Sequence, residues 1–339
     1  MAEGDNNQSI GQARIVTVFG GSGFVGRYVV RALARDGWRV RVACRRPDLA
    51  FHLQPLGGVG QVMPVQANIR NADSVASAVR GASAVVNLVG ILAEGGAQKF
   101  SSVQAEGARK IAEAAKAAGI SNVVHISAIG SDAQSGAEYG RSKAAGEAAM
   151  LEAVPGAVIL RPSVIFGPED DFFNRFATMA RYFPVVPIVG AGTKFQPVYV
   201  GDVAEAVALA LAGKARAGTV YELGGPQAKS FGELVGYVLK VTERERRVMK
   251  LGFGAGKFVA AIMQFLTKIS LGLFPKLLRM TGDQVELLKH DNVVSEAAIA
   301  EGRTLQGLGV EPQSIEAVVP GYLYRYRKTG QYQNQRLGA

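Results

Sequence analysis

The chain has 339 residues, 48% of them hydrophobic, enough for one large domain or two with a sizeable core. Its 38 Lys and Arg against 28 Asp and Glu give a formal net charge of +10, which favours anionic partners: a phosphorylated cofactor, a negatively charged membrane or nucleic acid. Cys44 is the single cysteine, which excludes an intrachain disulfide and points to a reducing compartment.

Residues 1–13 are polar and lack the apolar stretch of a signal peptide, so they read as a loose tail. Ile15–Phe19 is a short β-branched run, predicted as a buried strand. Gly20, Gly23 and Gly26 follow at three-residue steps, and Gly21, Gly23 and Gly26 also satisfy G-x-G-x-x-G. From Phe24 onward, Val25, Tyr28, Val29, Ala32 and Leu33 recur at helical spacing, which puts the glycines on a strand-to-helix turn. That is the setting of a dinucleotide-binding fingerprint. The first glycine makes the turn, the second admits a pyrophosphate to the backbone, and the third lets helix and strand pack closely. The free N–H groups and positive dipole end of the helix then face the phosphates. An ordinary glycine-rich turn is the competing reading, and the flanking strand and helix weigh against it.

A second strand is predicted over Arg39–Cys44, after Asp36 and Gly37 end the helix. Arg45 and Arg46 follow, about 20 residues past the glycines, where an acid would hold the ribose hydroxyls of NAD. Guanidinium groups there suit a 2′-phosphate through charge-assisted, often bidentate bonds, which favours NADP over NAD. A solvated basic loop is the alternative. Further strands are expected at 62–67, 84–89, 122–127 and 158–160, with helices ending near Gly81 and covering 99–118 and 139–153. Strands and helices alternate and the strands are apolar, so the fold class is α/β: a doubly wound parallel sheet covered on both faces. His125 lies in an apolar strand and reads as core. With His52 and His290 it shows no metal-ligand spacing, and no metal is expected.

Past residue 163 the pattern is less regular. Phe172–Tyr182 reads as a helix, Pro184, Pro187 and Gly190 as breaks, 196–200 as a strand, 202–211 as a helix and Val220–Leu223 as a strand. Ser230 and Glu233 have capping-box spacing and open a helix to about Lys240. The expected division is a tail at 1–13, a nucleotide-binding domain at 14–163, a smaller interleaved C-terminal lobe at 164–320 and a basic, Tyr-rich tail at 321–339.

Residues 246–282 carry Arg246, Arg247, Lys250, Lys257, Lys268, Lys276 and Arg279 and no acid, among apolar residues such as Phe258, Ile262 and Phe274. A helical wheel gathers Lys257, Gln264, Thr267 and Lys268 into a narrow polar stripe. No charge-free run here reaches the roughly 20 residues that a bilayer span needs. The segment reads as amphipathic, docking on an anionic membrane surface or a partner; a core helix of the second lobe is the alternative. In the tail, Tyr322, Tyr324, Tyr326 and Tyr332 with Arg325, Arg327, Lys328 and Arg336 suit an interface. The basic residues alternate with aliphatics and form no stacking surface, which weighs against nucleic acid.

Several of these stretches agree with one family. The turn from Gly20 to Gly26, the Tyr-x-x-x-Lys spacing of Tyr139 and Lys143, the segment from Arg161 to Pro168 and that from Gln196 to Ala206 resemble the extended short-chain dehydrogenases/reductases. The resemblance implies that Tyr139 protonates a carbonyl, while Lys143, four residues on, lowers its pKa and holds the nicotinamide ribose. It places Pro162 and Val164 in the loop that closes over the nicotinamide. A serine normally completes the set. The matching position here is Ala128; Ser127 is one residue early and should point to the opposite face, and Ser131 is a nearby hydroxyl. That departure counts against catalysis and leaves cofactor binding untouched.

Narrower features are similar to one atypical branch, the NADPH-binding accessory subunits of respiratory complex I. They are Arg27 to Val30, the basic residues after the second strand, His52 to Gly57, Asn87 to Gly90, His125 to Ser127 and Phe166 to Asp170. The branch implies a structural NADPH. Gly20, Ser22, Gly23, Phe24, Val25 and Gly26 would bear the pyrophosphate, and Arg45 and Arg46 the 2′-phosphate. Asn68 and Ile69 would flank adenine, Leu88 and Val89 the ribose side, and Tyr139 and Lys143 the nicotinamide ribose. Expected partners are other complex I subunits near the quinone-reducing arm. The expected place is the cytoplasmic face of a bacterial inner membrane, or the matrix side in a mitochondrion. The polar start favours a bacterial version, with a processed mature chain as the alternative. The competing function is a free NADPH-dependent reductase or epimerase acting on a carbonyl substrate.

Overall fold

The computed structural model describes residues 14–269 and 280–328, and side chains up to Gln264 in the helix that ends at Ile269. The expected tail at 1–13, the part of the expected 321–339 tail from 329 on, and the stretch 270–279 with Lys276 and Arg279 lie outside the described residues.

In chain order the strands are β1 (Ile15–Phe19), β2 (Arg39–Cys44), β3 (Val62–Gln66), β4 (Ala84–Asn87), β5 (Val123–Ile126), β6 (Val158–Pro162), β7 (Ile165–Phe166), β8 (Val185–Val189), β9 (Lys194–Phe195), β10 (Val198–Tyr199), β11 (Val220–Leu223), β12 (Lys229–Ser230) and β13 (Arg247–Leu251). Seven of them form one parallel sheet in the order β11-β6-β5-β4-β1-β2-β3. The order reverses between β1 and β4, which makes a crevice at their C-terminal ends.

The sheet is covered twice, as its apolar strands require. Helices α1 (Phe24–Arg35), α2 (Ala72–Val79), α3 (Glu106–Ala117), α4 (Glu138–Ala153), α5 (Phe172–Tyr182) and α6 (Val200–Leu211) divide between layers. α1 and α6 cover one face, where Val16, Val18, Val124 and Leu160 meet Leu33 and Val207. α2, α3 and α4 cover the other, where Val85, Val123 and Ile159 meet Ile111 and Met150. Neighbouring residues of β5 thus point into different cores, as a period of two dictates.

The C-terminal lobe has its own aromatic core of Phe166, Phe173, Phe176 and Phe231. It adds α7 (Phe231–Val241), α8 (Phe253–Ile269), α9 (Gly282–Leu287), α10 (Glu296–Ala300), α11 (Ile315–Val318) and α12 (Pro320–Leu323). The predicted capping box is formed at the start of α7, with Ser230 and Glu233 bonding reciprocally.

Several expectations need correction. Pro187 does not break the chain: it lies within β8, which among the described residues pairs only with β13, an edge position that tolerates a missing N–H. The expected long helix at 99–118 opens with a π-type turn at Ser101–Ala105 before α3 begins. Residues 247–251 are strand β13, so helix begins only at Phe253. Residues 321–328 are not a free tail. Tyr322 and Leu323 are buried in the lobe's core, Tyr322 Oη donates to Asp170 Oδ2 at 2.6 Å, and Arg325 Nη2 and Tyr326 Oη both reach Asn174 Oδ1.

Candidate functional site

The glycine turn sits at the C-terminal end of β1, at the point where strand order reverses. Gly20 has φ +80°, a left-handed conformation that favours glycine, and a Cβ there would stand 3.2 Å from Leu88 C and from Val89 N. Its N–H donates to Ala43 O at 3.3 Å, tying the turn to the end of β2. Gly23 is the N-cap of α1 with no side-chain cap, and the first turn holds no acid, so the first N–H groups remain available to an anion. At Gly26 a Cβ would run into the carbonyl oxygens of Gly20 and Gly21, so the helix can start here only with glycine. Phe24 and Val25 lie half-buried behind the turn, and Ser22 hydrogen-bonds the Cys44 thiol, whose pKa burial pushes up.

Arg45 and Arg46 both lie exposed past β2, two and three residues beyond Ala43. They are not equivalent. Arg46 forks onto Asp48, with Nη2 to Oδ2 at 2.8 Å and Nε to Oδ1 at 3.1 Å. Arg45 makes no ion pair or hydrogen bond among the described residues. Ala67 N donates to Cys44 O at 2.8 Å, which brings the next two residues, Asn68 and Ile69, to the same edge. Asn68 Oδ1 accepts from Arg70 N at 3.2 Å, and Ile69 wedges against Gly107 of α3. The residues expected at pyrophosphate, 2′-phosphate, adenine and ribose therefore lie along one edge of the sheet, past the C-terminal ends of β1 to β4.

Tyr139 and Lys143 lie one turn apart at the start of α4. Lys143 is buried; its Nζ donates to Ile126 O at 3.2 Å, and a Cβ on Gly90 would lie 3.2 Å from it. Burial pushes the ammonium down to about 8, against the opposing pull of Glu147. Glu147 is itself held by a fork from Arg161, at 2.9 and 2.6 Å. The Tyr139 ring packs edge-on against Phe100, and burial pushes its phenol up to about 12. The shift therefore runs opposite to the lowering that the lysine was expected to cause, with desolvation as its cause.

The hydroxyl set differs from what a carbonyl reduction needs. Ser131 Oγ donates to Ala128 O at 2.7 Å and lies 2.8 Å from Ser127 Oγ. With its hydrogen spent on the carbonyl, Ser131 accepts from Ser127, so neither hydroxyl has a hydrogen left for a substrate oxygen. Ala128 has none to offer. Behind them His125 is buried and neutral, its pKa pushed down to about 3 by burial and by Lys143. Asn87 Oδ1 accepts from Val89 N, so the Asn87 amide donates to His125 Nδ1 at 3.0 Å.

Pro162 ends β6, and Val164 follows two residues on. Ile129 N donates to Pro162 O at 3.0 Å and Val198 N to Val164 O at 2.9 Å. Two further ties were not legible in sequence. Glu169 accepts from Arg27 Nη1 at 3.1 Å and Tyr28 Oη at 3.0 Å, holding the 167–170 loop over α1. Asp283 accepts from the Glu138 and Tyr139 amides at 2.6 and 3.1 Å. The first joins two stretches that the sequence had singled out separately. The second has no local signal, because the partners lie 145 and 144 residues apart. Among the described residues there is no metal-binding cluster, and no helix is long and apolar enough to cross a membrane.

Residues 16–224 match the NAD dependent epimerase/dehydratase family. The chain is 34% identical over 334 residues to the mitochondrial NADH dehydrogenase [ubiquinone] 1 alpha subcomplex subunit 9 of Arabidopsis thaliana, covering 97% of this chain and 82% of that one. It is 30% identical over 316 residues to the mitochondrial NADH-ubiquinone oxidoreductase 40 kDa subunit of Neurospora crassa, covering 93% and 80%. Among solved structures, the NADPH-dependent quinone oxidoreductase QOR2 of Escherichia coli complexed with NADPH matches with TM-score 0.70 at 20% identity, over 91% of this chain and 99% of that one. DesIV, a dTDP-glucose 4,6-dehydratase from Streptomyces venezuelae with NAD bound, matches with TM-score 0.67 at 22% identity, over 96% and 98%. These two show a shared nicotinamide-nucleotide-binding fold. The chain belongs to the NAD dependent epimerase/dehydratase family, and the Arabidopsis and Neurospora relatives named above are subunits of respiratory complex I.

Proposed function

We propose that this protein is an accessory subunit of respiratory complex I that holds NADPH as a resident structural group and takes no part in chemistry of its own. The observation that carries the reading is the match to complex I subunits along nearly the whole chain. The site supports the cofactor. The α1 N-terminus has no side-chain cap, Gly20, Gly23 and Gly26 leave a cradle free of side chains, and Arg45, without a partner among the described residues, meets the requirement of a 2′-phosphate. Bound NADPH would supply a hydride, but the residues around it do not favour its transfer. Burial raises the Tyr139 phenol and makes it a poorer proton donor, and neither Ser127 nor Ser131 has a hydroxyl hydrogen free to steady a developing oxyanion.

Attachment falls to the C-terminal lobe. On α8, Gly256 and Ala260 pack inward against Val189, and Lys257 pairs with Glu286 at 3.0 Å. Phe258 and Ile262 point the other way, 69% and 43% exposed. Of the expected polar stripe, Lys257 and Gln264 are themselves exposed, so Phe258 and Ile262 form an apolar patch beside them on the outer side of α8. That patch, one turn of aromatic and aliphatic side chain, suits the junction between a complex I partner and an anionic membrane surface on the cytoplasmic or matrix side.

The test is turnover. The purified protein should not oxidise NADPH with quinone or carbonyl acceptors, and Tyr139→Phe should leave that baseline unchanged. Steady NADPH oxidation abolished in Tyr139→Phe would establish the free-reductase reading instead.

A further inference from the structure

We infer that Asp283 is a positioning residue, one that clasps the nicotinamide half of the cofactor site to the α8–α9 unit and so makes cofactor retention and the state of that unit depend on each other. The inference rests on the cofactor reading above.

Helix α4 carries Tyr139 and Lys143 but has no cap of its own. Its N-cap is Ala137, whose backbone is extended and whose side chain offers no acceptor. Two of its first N–H groups would be orphans without help. The help comes from far along the chain: Asp283 Oδ1 accepts from Glu138 N at 2.6 Å and Oδ2 from Tyr139 N at 3.1 Å. One of those amides is that of Tyr139 itself, and the carboxylate also meets the positive end of the α4 dipole.

The clasp is built firmly on the α9 side. Thr281 and Gln284 form a capping box at the start of α9, placing Asp283 in its first turn. One turn on, Glu286 lies against Gly136, where a Cβ would come within 3.2 Å of Glu286 Cγ. Glu286 is bridged to Lys257 of α8 at 3.0 Å and to Lys289 at 2.7 Å. Gly136, Lys257, Gln264, Asp283 and Glu286 line one cleft of about 310 Å³ between α8, α9 and the start of α4. A shift of α8 is therefore passed through Glu286 and Asp283 to the backbone of Tyr139. Any such coupling is reciprocal: what steadies α4 steadies α9 by the same factor.

The test uses the full chain and two ligands. NADPH reaches Tyr139 and Lys143, whereas 2′-phosphoadenosine 5′-diphosphate carries only the adenine, 2′-phosphate and pyrophosphate. Asp283→Ala should weaken NADPH about fivefold, the usual consequence of losing a helix cap, and leave the fragment unchanged. Asp283→Asn, which keeps one acceptor and the shape, should fall between and serves if the alanine variant folds poorly. Hydrogen exchange supplies a readout that loose packing would not move. In the wild type NADPH should slow exchange at both 20–26 and 282–287; in Asp283→Ala the slowing should persist at 20–26 and vanish at 282–287. Equal losses for NADPH and fragment, no loss at all, or protection of 282–287 that survives the substitution would each overturn the clasp. A wild-type protein that binds neither ligand would instead remove the cofactor reading on which the clasp rests.

Discussion

Arg46 is held on Asp48 by a fork of hydrogen bonds, while its neighbour Arg45 has no partner among the described residues. Both had been assigned to the 2′-phosphate on the strength of position alone. The pairing divides their roles. Arg45→Ala should weaken NADPH roughly tenfold or more, the worth of a charge-assisted bond, and leave NADH nearly unchanged. Arg46→Ala should have a smaller effect, because its charge is already spent on Asp48. Asp48→Asn should release Arg46 and raise the preference for NADPH over NADH. Titration of both nucleotides against the three variants checks this, and equal losses for NADPH and NADH in Arg45→Ala would contradict it.

The glycines of the turn should separate binding from folding. At Gly26 the barrier is the backbone of Gly20 and Gly21, which cannot move aside, so Gly26→Ala should cost roughly 1–3 kcal/mol of stability as well as the cofactor. At Gly23 a Cβ would meet only Gly20 O, at 3.3 Å, so Gly23→Ala should fold nearly normally. Its methyl would nonetheless stand where a pyrophosphate approaches. Thermal unfolding with and without NADPH distinguishes the two variants.

Much of this half of the molecule was legible because its signals are local. A β-branched run, a glycine turn and a helical period within 22 residues define β1 and α1, and the Ser230–Glu233 box needs only three residues. The C-terminal lobe was harder because its determinants are distant. Strand β13 pairs with β8, about 60 residues earlier, and Pro187 masked β8 in sequence although an edge position tolerates it. The ties of Asp283 to α4 and of Tyr322 to Asp170 leave no periodic trace. Nor could spacing alone reveal that burial would raise the Tyr139 phenol and lower the Lys143 ammonium.

His125 should make the fold sensitive to acid. Its pKa falls from 6.5 to about 3 on folding, so between those values the unfolded chain binds the extra proton. Its contribution is complete above pH 6.5 and is lost as the pH falls toward 3. Stability should therefore rise with pH across that window by up to about 1.4 kcal/mol per pH unit from this residue. His125→Gln keeps a partner for Asn87 but does not titrate. Denaturant unfolding at several pH values between 4 and 6 should give a shallower slope for the variant, and an unchanged slope would place the acid sensitivity elsewhere.

The buried bond between Tyr322 and Asp170 should hold the C-terminal helix to α5. Burial raises the pKa of the Asp170 carboxyl, while the Tyr322 hydroxyl bond draws it back down, as do the Gly167, Asn174 and Phe173 amides. Tyr322→Phe removes the hydroxyl and leaves the carboxylate short of a donor, at about 1–3 kcal/mol. Ending the chain at residue 320 should do more damage, because Tyr322 and Leu323 fill the lobe's core. Denaturant titration checks both, and a truncated chain as stable as the full one would mean that 321–328 is dispensable.

The central claim is membership of complex I, and co-purification tests it most directly. A tagged full-length chain, expressed in its own host and recovered from detergent-solubilised membranes, should bring down the NADH:ubiquinone oxidoreductase subunits. Nucleotide extracted from the same preparation should be NADPH. Phe258→Ser combined with Ile262→Ser should weaken that recovery without releasing the nucleotide. A chain that instead elutes alone from the soluble fraction and turns over NADPH would contradict the account.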